Sequence, residues 1–279
     1  MTILVTGSRG RIARTLIPLL HTAGHPVRAA SQRPADLRLP DGVPSVALNL
    51  ADPGGFRAAL AGAGAVFLYA GAAHIDEFLA EAEAAGVEHI VLLSSSSVLE
   101  PAAHRDRLAR HHLTVEEALA ASPIAVTVLR PGTFAANAYQ WAAEIRSAGQ
   151  VALPYPGATT DPVHEADIAE AAFAALTRPE PRGGAHHLTG PQSLSFADQV
   201  GILAAATGQP IKAAAVDRAT WKAALAGVIP EEFADGLLDW WQAHDGIPTG
   251  LTDTLEWLIG HPPRTFAEWA DEHAADFRR

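Results

Sequence analysis

Two adjacent histidines, His111 and His112, sit in the stretch HRDRLARHHLTVEE, with Glu116 shortly after them and a run of four serines, Ser94 to Ser97, closing an apolar VLL segment upstream. An imidazole titrates near about 6.5, so either histidine suits proton transfer to an organic acceptor. On a helix, Glu116 falls one turn from His112 and can orient it. A serine hydroxyl at Ser95, Ser96 or Ser97 can polarise a carbonyl oxygen. Ser96, His111 and His112 are therefore the catalytic candidates, against the plainer reading that two histidines on a charged helix face solvent. Phe134, Asn137 and Trp141 follow a strand at helical spacing, so one face of that segment either lines a pocket mouth or packs in the core. Ser97, Asn137, Trp141 and Tyr155 are the candidates for substrate contact. His164, Glu165 and Asp167 in HEAD are metal-ligand types, but acidic residues at a helix start favour its dipole, and His186 and His187 alternate faces of a short strand. No metal site is expected.

A second constellation stands at residues 6 to 13, TGSRGRIA, between a predicted strand and a predicted helix. Gly7 permits a tight turn, Gly10 lets backbone approach a pyrophosphate, and Ala13 meets the need for a small residue where helix packs on strand. The helix N-terminus then offers N–H groups and a positive dipole end to phosphate. Such a turn predicts dinucleotide binding. At the end of the second strand, VRAASQRP carries Ser31 and Arg33 and no acid before Asp36. An acid there would hold an NAD ribose, whereas Arg33, with Arg9 from the glycine turn, suits a 2′-phosphate. NADP(H) is the preferred cofactor, with NAD(H) the alternative.

The elements that must position these residues are legible in the hydrophobic pattern. Strand-length apolar runs near residues 3–6, 26–30, 46–48, 65–69, 89–94 and 125–129 alternate with amphipathic helices, the signature of a doubly wound parallel α/β sheet of Rossmann type. Gly24 and Gly86 suit helix C-caps. After Gln150 the pattern changes to Pro- and Gly-rich loops, LPYPGATTDP and TRPEPRGG, around a helix at 163–178 expected to pack back on the sheet. The reading divides the chain into a dinucleotide-binding core at 1–153 and a smaller, mainly helical substrate-binding region at 154–279. That region has one short strand (186–189) and helices starting near Ser195, Asp217, Glu231, Leu251 and Thr265. Its tryptophans read as core.

Composition bounds the function class. The 279 residues are 48% hydrophobic and 18% charged, with no cysteine and a formal charge of −11. This excludes disulfides and thiol chemistry and opposes binding to phosphate backbones. No apolar run reaches the roughly 20 residues of a membrane span, and the first residues read as a strand rather than a leader. A cytoplasmic protein acting on a small molecule is expected, with no nucleic-acid or membrane partner. The sequence leaves its oligomeric state open.

TGSRGRIA, LNLADP, VLLSSSSV and VTVLRPGTFAANA together resemble the atypical or extended short-chain dehydrogenase/reductases, specifically the NmrA-like NAD(P)-binding group; PVHEADIAEAA and PRTFAEWADEHAADF resemble its C-terminal half. The glycine turn itself lays a cofactor along Gly7, Ser8, Arg9, Gly10, Arg11 and Ile12, with Ser31 and Arg33 at its 2′ end, and the resemblance extends this. It implies Asn49 and Leu50 beside the adenine, and Tyr69, Ala70 and Gly71 beneath the cofactor. Ser94, Ser95 and Ser96 would line the nicotinamide side, and Pro131, Gly132, Thr133 and Phe134 would cover its ribose. The family's Tyr-x-x-x-Lys pair is missing: residues 101–122 contain neither residue type. Counting back from LRPG puts His112 near the lysine position and Leu108 or Ala109 near the tyrosine; a one-residue shift puts His112 and Glu116 on the pair. Three accounts fit: reduction of a small carbonyl, enone, imine or quinone-like substrate with a substitute acid; non-redox isomerase or lyase chemistry; and a dinucleotide-sensing regulator without turnover.

Overall fold

The structure is a computed structural model that describes residues 1–71, 73–101 and 103–279, the side chain of Leu108 excepted. In chain order the strands are β1 (Thr2–Val5), β2 (Val27–Ser31), β3 (Ser45–Ala47), β4 (Ala63–Tyr69), β5 (His89–Leu93), β6 (Ala125–Pro131), β7 (Gln150–Leu153), β8 (Thr159–Thr160), β9 (Ala185–Leu188), β10 (Leu194–Ser195) and β11 (Lys212–Ala215). The α-helices are α1 (Arg11–Thr22), α2 (Phe56–Leu60), α3 (Ile75–Ala84), α4 (Arg107–Ala121), α5 (Ala142–Ala148), α6 (Glu165–Thr177), α7 (Phe196–Thr207), α8 (Arg218–Ala224), α9 (Glu231–Ala243), α10 (Thr254–Ile259) and α11 (Phe266–Phe277). No described helix is long and apolar enough to cross a membrane.

Seven parallel strands form one sheet in the order β3-β2-β1-β4-β5-β6-β9. This is the doubly wound arrangement expected from the alternating pattern, with β9 added at the edge beyond β6. The central strands β4 and β5 are apolar on both faces because helices cover both. Phe56 and Phe78 meet edge to face at 5.3 Å inside one of those layers. On the other face α1 packs with α6, whose Ile168, Ala171, Ala172 and Ala175 are fully buried.

Two compact units emerge, and the division differs from the one composition suggests. The first comprises Met1–Pro131, Glu165–Leu188 and Thr254–His261; the second comprises Gly132–His164, Thr189–Asp253 and Pro262–Arg279. The core therefore gives way at Pro131 rather than at residue 153. From Gly132 on, the chain pairs within the second unit: Phe134 bridges Val163, and β7 lies parallel to β11. α10, expected in the C-terminal region, belongs to the first unit, where it packs on α6 with Leu255 and Leu258 buried. The Pro- and Gly-rich loops mark turns, and turns need not coincide with a change of core.

The second unit has an aromatic interior. Trp269 is fully buried, stacked on Phe266 at 5.5 Å. A separate chain of edge-to-face contacts runs Trp141–Phe196–Trp241–Trp221. Capping boxes at Ser195–Asp198 and Thr265–Glu268 start α7 and α11; each satisfies N-terminal N–H groups of its helix.

His89, 1% exposed at the start of β5, reaches Thr127 Oγ1 through Nε2 at 2.9 Å, while its Nδ1 is buried without a partner. Burial, with the nearby Arg182 charge, pulls its pKa down to about 4. The unfolded chain takes this proton near about pH 6.5 and the fold refuses it until about 4, so stability is intact above the first value and falls between the two. The expected loss is up to about 3 kcal/mol. In His89→Leu the Thr127 hydroxyl keeps its bond to the Pro181 carbonyl. Urea unfolding at pH 7 and pH 4.5 should show the parent losing more stability than His89→Leu; equal losses would place the acid sensitivity elsewhere.

Candidate active site

The glycine turn is built at the carboxyl end of β1. Gly7 has φ +59°, a left-handed conformation that suits glycine, and the Gly10 N–H donates to the Gly7 carbonyl at 2.8 Å. Ser8, 1% exposed, donates to the Val5 carbonyl at 2.8 Å and accepts from the Ala30 N–H at 3.0 Å. Its hydroxyl thus stitches β1 to β2 and does not face a ligand, contrary to the expectation for Ser8. Ile12 points into the core, leaving its backbone alone for ligand contact, while Arg9 and Arg11 are exposed. No side chain of the turn caps α1, whose N-cap is Gly10. A wholly buried Ala13 meets the packing demand on the third small residue. These features fit a dinucleotide phosphate at the start of α1.

Tyr69, which sequence alone places only beneath a cofactor, lies against this turn. A Cβ at Gly7 would stand 2.6 Å from Tyr69 Cδ2, and one at Gly10 would stand 2.7 Å from Tyr69 Oη. Burial pushes the Tyr69 phenol up to about 12, against the lowering effect of a hydrogen bond from the Ala13 backbone.

At the end of β2 the Ser31 hydroxyl is buried and accepts from the Arg33 N–H at 3.2 Å. Arg33 Nε pairs with Asp36 at 3.3 Å, both side chains more than half exposed. Gln32, overlooked in the sequence, donates through Nε2 to Asn49 Oδ1 at 2.9 Å; the same oxygen accepts from the Ala51 N–H. Leu50 packs over Gly71, where a Cβ would come within 3.0 Å of its Cδ1. Residues 32, 49, 50 and 71 thereby meet at the carboxyl ends of their strands, the general ligand position of open α/β sheets.

From Tyr69 the chain runs to Ala70, whose carbonyl lies 3.1 Å from His111 Nε2, an oxygen to which that nitrogen can only donate. His111 and His112 stand with ring centroids 5.8 Å apart. Among the described residues, His112 Nδ1 and Ser97 Oγ are both buried without hydrogen-bond partners, on α4 and on the short 3-10 helix Ser96–Leu99, which pack together. Burial lowers the His112 pKa, the His111 charge lowers it further, and Glu116 opposes both. Ser95 caps the 3-10 turn by accepting from the Ser97 N–H at 3.2 Å; Ser96 is its half-buried first residue.

Glu116 has a different job from orienting His112. Its carboxylate, 9% exposed, accepts from Arg130 Nε at 3.1 Å and Nη2 at 2.5 Å, and from the Ser94 hydroxyl at 2.5 Å. The Ser94 hydroxyl proton is thereby given to Glu116 rather than to a ligand. The α4 helix thus locks to β5 and β6 through one buried ion pair. Ala109 is buried and its N–H is capped by Asp106 Oδ1; the Leu108 side chain lies outside the described residues.

In the second unit, the Thr133 N–H donates to Asp161 Oδ1 at 3.1 Å, and a Cβ at Gly132 would fall 2.0 Å from Asp161 Oδ2. Burial raises the Asp161 pKa to about 6, against the lowering effect of backbone N–H donors. Nothing in its sequence neighbours, TTDP, marks this carboxyl. Pro131 is buried at the end of β6, and Phe134 precedes the 3-10 helix Ala135–Trp141. Asn137 is exposed on that helix, whereas Trp141 packs edge to face on Phe196. Trp141 is therefore core, and the substrate contact expected of it is withdrawn. The Tyr155 hydroxyl donates to Gln242 Oε1 at 3.1 Å and lies 3.5 Å from Arg218 Nη1. His164 Nε2 faces Glu272 at 3.3 Å.

A sequence profile described as NAD(P)H-binding matches residues 7–179. The (4-alkanoyl-5-oxo-2,5-dihydrofuran-3-yl)methyl phosphate reductase of Streptomyces griseus is 34% identical over 280 residues, covering 99% of each chain. The NAD(P)H azoreductase of Xenophilus azovorans is 32% identical over 286 residues, again covering 99% of each. Among solved structures, an NADPH-dependent quinone oxidoreductase from Escherichia coli superposes with a TM-score of 0.82 at 25% identity, over 97% of this chain and 98% of that one.

Proposed function

Because this chain belongs to the NAD(P)H-binding family, we propose that it is an NADPH-preferring reductase of conjugated organic acceptors, acting without the tyrosine–lysine pair of the short-chain dehydrogenase/reductases that its sequence resembles. The acceptors named in its relatives, an oxo-dihydrofuran, an azo compound and a quinone, are all conjugated. Bound NADPH would supply the hydride. Gly7, Gly10 and the first turn of α1 would hold its phosphates, and Arg33 and Arg9 its 2′-phosphate.

The observation that supports the reading is the pair of buried atoms with no partner among the described residues, Ser97 Oγ and His112 Nδ1. Leaving buried polar atoms unpaired costs about 1–3 kcal/mol each, so two of them on adjoining elements point to a ligand that completes them. Burial lowers the His112 pKa, so the imidazole is neutral at neutral pH, and with its proton on Nδ1 the unsatisfied atom is a donor. A neutral imidazole N–H steadies developing negative charge on an acceptor by hydrogen bonding, and so does a serine hydroxyl at Ser96 or Ser97. Conjugated acceptors suit such donors, because charge arriving at one end spreads to the heteroatom that the donors meet. NADPH consumption measured across enones, quinones, azo compounds and simple ketones tests the reading. Turnover of conjugated classes is expected; tight NADPH binding with no consumption in any class would favour the regulator instead.

Cofactor choice gives its own expected result. The Arg33–Asp36 pair is solvent-exposed and weakly held, so Arg33 can turn to a phosphate at little cost. NADPH should bind more tightly than NADH, and Arg33→Ala should lose about tenfold for NADPH and little for NADH. Equal losses for the two cofactors in titrations would remove Arg33 from the 2′-phosphate.

A further inference from the structure

The Gly7 and Gly10 positions face the ring of Tyr69. The vector along which Gly10 lacks a side chain is the one that lets a pyrophosphate approach the turn. In this structure it ends at Tyr69 Oη, 2.7 Å from the position a Cβ would take. The phenol oxygen thus stands at the start of α1, a helix end that no side chain of its own turn caps. We propose that the Tyr69 side chain is a built-in occupant of the phosphate cradle, standing against Gly7 and Gly10 until a dinucleotide displaces it.

The proposal rests on the reading that this turn binds NADPH. A phenol oxygen is a neutral substitute for a phosphate oxygen, and the helix N-terminus favours the charged group. Its high pKa keeps the hydroxyl neutral throughout the working range, so the exchange is governed by cofactor concentration rather than pH. The backbone of Tyr69 cannot follow the ring easily: its N–H donates to Thr6 Oγ1 at 2.9 Å, and β4 is paired on both sides. Displacement is therefore a rotation of the side chain away from Gly7 and Gly10. Since only the open form accepts cofactor, the observed affinity is the intrinsic one reduced by the open fraction. This also revises why Gly10 is glycine, because a side chain there would collide with the resident phenol before any cofactor arrived.

The chain has three tyrosines, so fluorotyrosine labelling gives three assignable 19F resonances, the Tyr69 signal identified by its loss in Tyr69→Phe. Saturating NADPH should move the Tyr69 resonance. In calorimetric titration Tyr69→Ala should bind NADPH about tenfold more tightly than the parent, and Tyr69→Phe, which keeps the ring and loses only the hydroxyl beside Gly10, should gain less. Tyr69→Phe retains the ring packing and guards against misfolding of the alanine variant. A stationary Tyr69 resonance at saturation, or affinities in both variants equal to or weaker than the parent's, would overturn the gate while leaving cofactor binding intact. No NADPH binding by the parent or either variant would instead overturn the cofactor reading, and the gate with it.

Discussion

Glu116→Gln should cost the fold about 3 kcal/mol, on the order of 10 °C in Tm, and should do so with no cofactor or substrate present. The carboxylate takes two guanidinium hydrogen bonds from Arg130 and one from the Ser94 hydroxyl, and both charged groups are largely out of water. Removing one charge leaves the other buried and unpaired, and that orphaned cation, rather than the lost attraction, dominates the cost. The double variant Glu116→Leu with Arg130→Met tests this cause, since it removes both charges and should recover much of the lost stability. A double variant no more stable than Glu116→Gln would mean that the geometry of the pair matters and not its burial. Either result bears on activity, because the pair fixes α4, and with it His111 and His112, against the ends of β5 and β6.

What could be read from the sequence follows from what is local. β1, β4 and β5 announce themselves as short apolar runs because they are buried on both faces, and the glycine turn is visible because its constraints lie within eight consecutive residues. β11 was invisible: KAAA has little β-propensity and becomes a strand only because β7 offers it a partner. Trp141 shows the limit of periodicity, which fixes the face of a helix but not what covers that face; Phe196, far along the chain, covers it. The same limit explains Glu116. Its spacing from His112 correctly gives one helical turn, yet its bonds go to Ser94 and Arg130, partners that only the closed sheet brings near. Asp161 and Gln32 carried no signal at all, since their roles are set by contacts across loops.

Turnover should depend on His112 in a way that separates two kinds of donor. If the neutral imidazole N–H meets the developing charge, His112→Phe should lower kcat by about 10² while NADPH affinity stays unchanged, and His112→Gln, which retains an N–H donor, should recover part of the loss. The pH profile then decides how the imidazole acts. Burial and the His111 charge lower its pKa, so the imidazolium is already scarce at neutral pH. A mechanism needing that cation would lose rate as pH rises through the lowered pKa and be nearly spent at pH 7. A neutral donor gives a rate that stays level from pH 7 upward. A level profile with a large His112→Phe effect is the expected combination. A profile falling as pH rises toward neutrality, abolished in His112→Phe, would make the histidine a true acid. If His112→Phe and His111→Phe are both silent while Ser97→Ala lowers kcat, the unsatisfied hydroxyl on the 3-10 turn carries the role and the orphaned Nδ1 is a packing defect.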